Sequence, residues 1–300
     1  MKALIHTGEL RKQLESTVPP IVIDVRLEDD FKAAHIPGAI NNCVYEVAFG
    51  ERLAKSVPER TRPIVVYGAN SESYEARVAA EKLSRAGYTN VYEYRDGLAG
   101  WQATGAPLAL GESLPTEPTV SDGIHPIDLA ESSIEWSGRN LLKKHHGRIG
   151  LRFGQLEFAH GELTGGRVVI DLKNIVCFDL HGTEWHDVLI NHLQSDDFFD
   201  AERFPEALVV INSARRIEDA SLGRPNLDIN ADVTLKGVSA PLKFLATSGV
   251  TPDGKAAAQA VFSFDRTRWK VLYGSGRFFH RLGMNLVNDL IQLEIKIVTQ

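Results

Sequence analysis

Six histidines crowd one stretch of the chain, His145, His146, His160, His181, His186 and His192, out of ten in all. Imidazoles at that density invite metal ligation, proton transfer or the orientation of a polar ligand. The spacing weighs against a helical metal pair. His181 and His186 are five apart and His186 and His192 six, whereas two ligands share a helical face at i, i+4. The only cysteines, Cys43 and Cys177, lie far apart and provide neither a disulfide framework nor a cysteine-rich zinc site. No metal set is therefore assigned. No paired carboxylates and no nucleophile with an oriented base identify a reaction.

The elements that must position these residues fall into two patterns. From Ile21 to about Trp101, short apolar runs (Ile21–Ile23, Ile64–Val66, Val91–Tyr92) alternate with helical patterns near Tyr45–Ala54 and Glu75–Ala86, the rhythm of a parallel α/β sheet. From Ser133 onward, period-two alternation takes over: Val168, Ile170, Leu172; Ile229, Ala231, Val233, Leu235; Leu242, Phe244, Ala246; Ile291, Leu293, Ile295, Ile297. That spacing predicts an antiparallel sheet, closed into a barrel, interrupted by one helix over 183–193 with Trp185, Leu189 and His192 or Leu193 on one face. Between the patterns, Pro107, Pro115 and Pro118 sit among Ser, Thr and Gly with little apolar periodicity. The division is a first domain over 1–108, a linker over 109–123 and a second domain over 124–300.

Composition excludes several classes. A formal charge of −6 opposes binding to phosphate backbones or anionic bilayers, which requires clustered Lys and Arg, so nucleic acid is not an expected partner. No apolar run approaches the roughly 18 residues of a membrane helix, and Met1–Leu10 has no extended apolar core or small-residue cleavage site. With two unpaired cysteines, the expected compartment is a reducing cytoplasm.

The first domain carries Asp24-Val25-Arg26 after its first strand, then His35-Ile36-Pro37-Gly38-Ala39-Ile40, Gly87-Tyr88-Thr89-Asn90-Val91-Tyr92 and Asp96-Gly97-Leu98-Ala99-Gly100-Trp101. In these motifs it resembles the rhodanese family. The resemblance implies a catalytic cysteine at the end of the strand Ile64–Tyr67, followed by a loop commonly reading C-x-x-G-x-R-S. Here Gly68 occupies that position and the loop reads Gly68-Ala69-Asn70-Ser71-Glu72-Ser73-Tyr74. Neither the cysteine nor the arginine is present. Without a thiolate no persulfide intermediate forms, so the domain reads as an inactive sulfurtransferase with no catalytic residue, kept as a scaffold or as a docking site for a protein partner. Ser71 and Ser73 have no neighbouring base and read as helix-capping serines. Asp24 and His35 read as loop braces, and Cys43 as a small buried residue.

The second domain carries Ser133-Ile134-Glu135-Trp136, His145-His146-Gly147, Gly161-Glu162-Leu163-Thr164-Gly165-Gly166, a run from His192 to Phe204-Pro205, Leu235-Lys236-Gly237-Val238, Asp265-Arg266 and Asp289-Leu290-Ile291-Gln292-Leu293. In these it resembles the YceI-like family, which implies a lipocalin-like antiparallel barrel and, for some members, polyisoprenoid binding. Alternation over Ala256, Ala258, Ala260, Phe262 and Phe264 places small side chains on one face, which leaves room for a ligand. The candidate ligand-binding residues are the aromatics Trp136, Phe153, Phe158, Trp185, Phe262, Trp269 and Phe279, with Lys144 and His146 toward a head group.

The reading is a two-domain carrier or sensor of a hydrophobic small molecule, an isoprenoid or isoprenoid quinone, with no other cofactor. Two alternatives stay open: an enzyme or metal-binding protein using the histidine-bearing barrel, and a pure interaction scaffold.

Overall fold

The computed structural model describes residues 2–114, 116 and 118–300; Met1, Glu117 and the linker proline Pro115 lie outside the described residues. The chain separates into two compact units, Met1–Thr116 and Glu117–Gln300.

The first unit runs β1 (Lys2–Ile5), α1 (Thr7–Leu14), β2 (Ile21–Asp24), α2 (Glu28–Ala33), β3 (Ala34–His35), β4 (Ile40–Asn41), α3 (Phe49–Ser56), β5 (Ile64–Tyr67), α4 (Glu75–Arg85), β6 (Val91–Tyr94), α5 (Gly97–Ala103) and β7 (Ala109–Leu110). Its main sheet is parallel, in the order β1-β6-β5-β2-β4. Central β5 is buried at every residue, as expected of a parallel strand covered on both faces. Helix α4 buries Ala76, Ala79, Ala80 and Leu83, the i, i+3, i+4, i+7 stripe of an amphipathic helix. Edge strand β1 and helices α1 and α5 escaped the sequence reading.

The two polar residues read as braces are braces. Arg26 Nη2 donates to Asp24 Oδ2 at 2.6 Å and to the Ala34 carbonyl at 2.7 Å, and Arg26 and Asp24 are both buried. The His35 ring stacks on Phe31 at 3.9 Å while Nδ1 bonds the Phe31 carbonyl at 2.8 Å. Cys43 is buried and unpaired.

Both ends of the segment read as a linker join sheets. Ala109 and Leu110 pair with His35 and Ala34, and Gly123 opens a strand of the second unit. A two-residue pairing leaves no periodicity to read, so the linker as read takes in all of β7 and the first residue of the strand that opens at Gly123.

The second unit runs β8 (Gly123–Pro126), β9 (Ser133–Arg139), β10 (Lys144–Ala159), β11 (Glu162–Cys177), α6 (Glu184–Gln194), β12 (Glu206–Arg216), β13 (Leu227–Leu235), β14 (Val238–Val250), β15 (Ala256–Asp265) and β16 (Leu290–Val298). Strands β11 to β16 pair in order, β16 pairs with β9, β9 with β10, and β10 with β11. This closes an antiparallel barrel of eight strands, with β8 added along β10. Closure removes the exposed edges and turns one face of every strand inward. The chain is thus an α/β domain followed by a lipocalin-like β-barrel with one helix, as the alternation and the motifs implied. No helix among the described residues is long and apolar enough to cross a membrane.

Candidate functional site: a barrel cavity and the loop at Gly68

The inward faces of the barrel enclose a cavity of about 490 Å³, within the roughly 300–1,000 Å³ typical of small-molecule sites. The residues that set the period-two pattern line it: Val168, Ile170 and Leu172; Ile229, Val233 and Leu235; Leu242, Phe244 and Ala246; Ile291, Leu293, Ile295 and Ile297. From Ile291 to Ile297 the wall runs about 20 Å along a strand at about 3.3 Å per residue. Allowing for strand tilt, the depth is about 15 Å. Ala258 and Ala260 face Ile297 and Ile295 across the ladder and line the cavity without filling it.

Polarity is unevenly distributed. Leu293 pairs with Trp136 and Ile295 with Ile134, so Ile291 marks the end of the barrel at Arg139 and Ile297 the opposite end. At the Arg139 end the lining gains Arg139, Asn140, Lys143 and His145, together with Leu189, His192 and Leu193 of α6, which covers this end. At the other end the polar lining residue is Gln259. Trp136 lies beside the polar mouth, and its indole Nε1 is buried with no protein partner. An unsatisfied buried N–H costs free energy, which an acceptor on a bound molecule would recover. The other lining indole, Trp269, is fully buried and donates to the Val233 carbonyl at 2.8 Å. Arg266, also in the lining and buried, gives its guanidinium to the carbonyls of Val271 (2.7 Å), Asn288 (3.1 Å) and Val287 (3.1 Å). Burial pulls its pKa below the ordinary value; with Nε, Nη1 and Nη2 each donating to a carbonyl, it holds the Val271–Asp289 segment to the barrel.

The second local arrangement is the loop after β5. The Glu75 carboxylate turns back into it: Oε2 accepts the Ala69 N–H at 2.8 Å and Oε1 accepts the Tyr45 hydroxyl at 3.0 Å. Desolvation and this carboxylate push the Tyr45 hydroxyl up to about 12. Asn70 Oδ1 accepts the N–H groups of Glu72 (3.0 Å) and Ser73 (3.1 Å). A Cβ at Gly68 would collide with Glu75 Oε2 and lie 3.0 Å from Ser73 Oγ. The space in front of residue 68 is occupied by this chain's own carboxylate.

Comparison with known proteins follows the same division. The sequence model described as "YceI-like domain" matches residues 126–299. The chain belongs to the YceI-like family. A second model, "Rhodanese-like domain", matches residues 6–104, and the chain carries that domain ahead of its YceI-like barrel. The first part is 28% identical over 92 residues to the uncharacterized protein YibN of Escherichia coli K12, covering 31% of this chain and 62% of that protein. The chain therefore spans less than two thirds of that relative's length. The YceI-like part is 26% identical over 147 residues to a UPF0312 protein of Pseudomonas putida W619, covering 48% of this chain and 71% of the relative. Among solved structures, Burkholderia cenocepacia BcnA superposes with a TM-score of 0.46 at 18% identity, covering 58% of this chain and 99% of that one. A polyisoprenoid binding domain from Saccharophagus degradans gives 0.45 at 14%, covering 60% and 99%.

Within the YceI-like barrel, Trp136, Phe262 and Trp269 line the cavity among the residues read as ligand-binding. The other six lie outside the lining, for local reasons. Lys144 and His146 flank His145, and neighbours in a strand point to opposite faces, so His145 faces the cavity in their place. The β10–β11 register shifts at Ile149/Gly150 and Leu151/Phe153. The irregularity changes which parity faces inward: His145 and Ile149 line the cavity before it, Leu156 after it. Phe153 is thereby turned outward, 45% exposed, and Phe158 packs edge-on against His125. Trp185, in the first turn of α6, is 61% exposed and outside the lining, although it stands one turn before Leu189 on the same helical face. Phe279 lies in the segment before β16 and is 47% exposed. The sequence reading missed the mouth residues Arg139, Asn140 and Lys143; their signal was a cluster of cations and an amide between two strands. It also missed Arg266, quoted only as half of a motif.

Proposed function

We propose that the YceI-like barrel holds one hydrophobic chain molecule of the isoprenoid class, its polar end at the Trp136–Lys143 mouth, while the Rhodanese-like domain acts as a non-catalytic scaffold. The observation that carries the first half is the cavity: apolar along its depth, with its cationic residues and Asn140 gathered at one end and Gln259 at the other. Such a site favours an elongated apolar molecule with a single polar terminus. A carbonyl or hydroxyl oxygen there, as on a quinone, suits the unpartnered Trp136 N–H. The isoprenoid class itself is the expectation carried by the family.

The scaffold half rests on Gly68. Sulfur transfer through the enzyme needs a thiolate to accept the sulfur; the position holds a glycine facing the Glu75 carboxylate, and Cys43 is buried away from solvent. Two free cysteines are in keeping with a reducing, cytoplasmic setting.

Titration of the full-length protein with a short-chain isoprenoid quinone, read by tryptophan quenching, tests the container. Saturable binding at one equivalent is expected, at least about tenfold tighter than to the head group lacking its tail, since several apolar carbons at about 0.8 kcal/mol each contribute. Equal affinity for tail-less and tailed compounds sinks the reading. Thiosulfate sulfurtransferase turnover that survives replacement of both cysteines by serine would sink the scaffold assignment.

A further inference from the structure

At the polar mouth, β10 and β11 bring together three side chains of metal-ligating type. Gly147 pairs with Cys177 across the ladder. A Cβ at Gly147 would collide with the Val176 carbonyl, so this glycine lets the two strand ends close up. Asp179 follows β11 by two residues and turns back over β10. Its Oδ2 accepts from His145 Nδ1 at 2.8 Å; its Oδ1 accepts the His146 backbone N–H at 2.9 Å and the Cys177 thiol at 3.3 Å. The ligating atoms of His145, Cys177 and Asp179 all lie within 4.8 Å of one another.

We propose that His145 Nδ1, Cys177 Sγ and the Asp179 carboxylate form a site for a zinc-class divalent cation. An ionised carboxylate only accepts hydrogen bonds, so the His145 ring and the Cys177 thiol both aim a hydrogen at it. One dication can replace both hydrogens. The imidazole proton moves from Nδ1 to Nε2, the thiol proton is released to solvent, and dication, thiolate and carboxylate together sum to zero charge. Zinc binds sulfur at about 2.3 Å and nitrogen or oxygen at about 2.0–2.2 Å. Closing from the present separation therefore needs movement on the order of 1 Å, and the partly exposed His145 and Asp179 side chains can supply it. Mixed N, S and O donors select zinc-like ions over calcium or magnesium, which take oxygen.

The surroundings fit a metal site. The His146 N–H holds Asp179 from outside the triad. His186 Nε2 accepts the Cys177 backbone N–H at 3.5 Å while its Nδ1 is tied to Asp187 at 2.8 Å. Three protein ligands leave a fourth position for water or a ligand oxygen, and His145 is itself part of the cavity lining. The site is absent from any sequence motif because its ligands come from the beginning of one strand and the end of the next.

The test uses the tag-free, full-length protein, reduced and stripped of metal, titrated with zinc and separately with cobalt. One equivalent of either is expected to bind, and cobalt should give a thiolate-to-metal charge-transfer band in the near ultraviolet. Cys177→Ser is expected to abolish that band, Cys43→Ser to leave it intact, and His145→Ala to weaken zinc binding by at least about tenfold, the lower bound for losing even an outer-shell partner. Far-ultraviolet circular dichroism of each variant separates loss of a ligand from loss of fold. The proposal is overturned if the unmodified protein binds neither ion, or if the cobalt band persists in folded Cys177→Ser.

Discussion

Replacing Ala258 and Ala260 together by leucine separates a container from a packed core, because the two predict opposite signs. Each substitution adds three carbons on the cavity side of β15. At about 0.8 kcal/mol per buried methylene, the pair contributes up to about 5 kcal/mol if the space is open. If the interior were solid, each would cost about 1–3 kcal/mol by overpacking. Six added carbons take up a substantial part of a cavity of about 490 Å³. The expected outcome is an unchanged or raised urea midpoint together with at least about tenfold weaker binding of an isoprenoid quinone. Tryptophan fluorescence suits the unfolding assay, since three of the four tryptophans, Trp136, Trp185 and Trp269, report on the barrel. A drop of 2 kcal/mol or more, about 1 M in urea midpoint at an m-value near 2, would refute the cavity.

Trp136→Phe removes the one lining indole N–H without a protein partner; quinone affinity is expected to fall by up to about tenfold, one neutral hydrogen bond of about 0.5–1.5 kcal/mol, with the unfolding midpoint unchanged. Gly68→Cys is expected to push the Glu75 carboxylate off the Ala69 N–H, costing about 1 kcal/mol for the hydrogen bond lost, and to give no thiosulfate turnover, as measured by denaturation and a cyanide-coupled assay. Asp96 accepts from His6 Nδ1 (2.7 Å), the Thr7 N–H (2.9 Å) and the Thr7 hydroxyl (2.9 Å). Although burial opposes it, these bonds hold its pKa below the ordinary carboxylate value. A depressed folded-state pKa contributes stability that is present above the unfolded value of about 3.9 and lost as pH falls through the folded one. Asp96→Asn should therefore flatten the acid limb of the first domain's unfolding curve, and an unaltered limb would contradict the assignment.

The architecture was legible because two hydrophobic periods and two sets of motifs agreed along most of the chain. Val168-x-Ile170-x-Leu172 and Ile291 to Ile297 could face only one way, and they face the cavity. Site residues were less legible wherever strand parity breaks. The register shifts near Gly150 and Phe153 have no local sequence mark, so Phe153 was assigned to the wrong face and the choice between His145 and His146 fell on the wrong neighbour. Helix α6 was found to within one residue, but that Trp185, one turn before Leu189 on the same face, stays outside the lining depends on where the helix meets the barrel end. The grouping of His145, Cys177 and Asp179 arises from pairing between strands, which a search for helical spacing does not sample. At Gly68, by contrast, a single residue carried the reading, and the Glu75 carboxylate adds the reason a lone cysteine there would meet a filled site.

The most direct test of the container is native mass spectrometry of freshly purified full-length protein, followed by organic extraction and mass analysis of what is released, with the Ala258→Leu/Ala260→Leu variant alongside. A single hydrophobic compound of several hundred daltons, on the order of what a cavity of this class holds, is expected on the unmodified chain and depleted from the variant. The bare polypeptide mass alone, before and after incubation with isoprenoid quinones, would contradict the account.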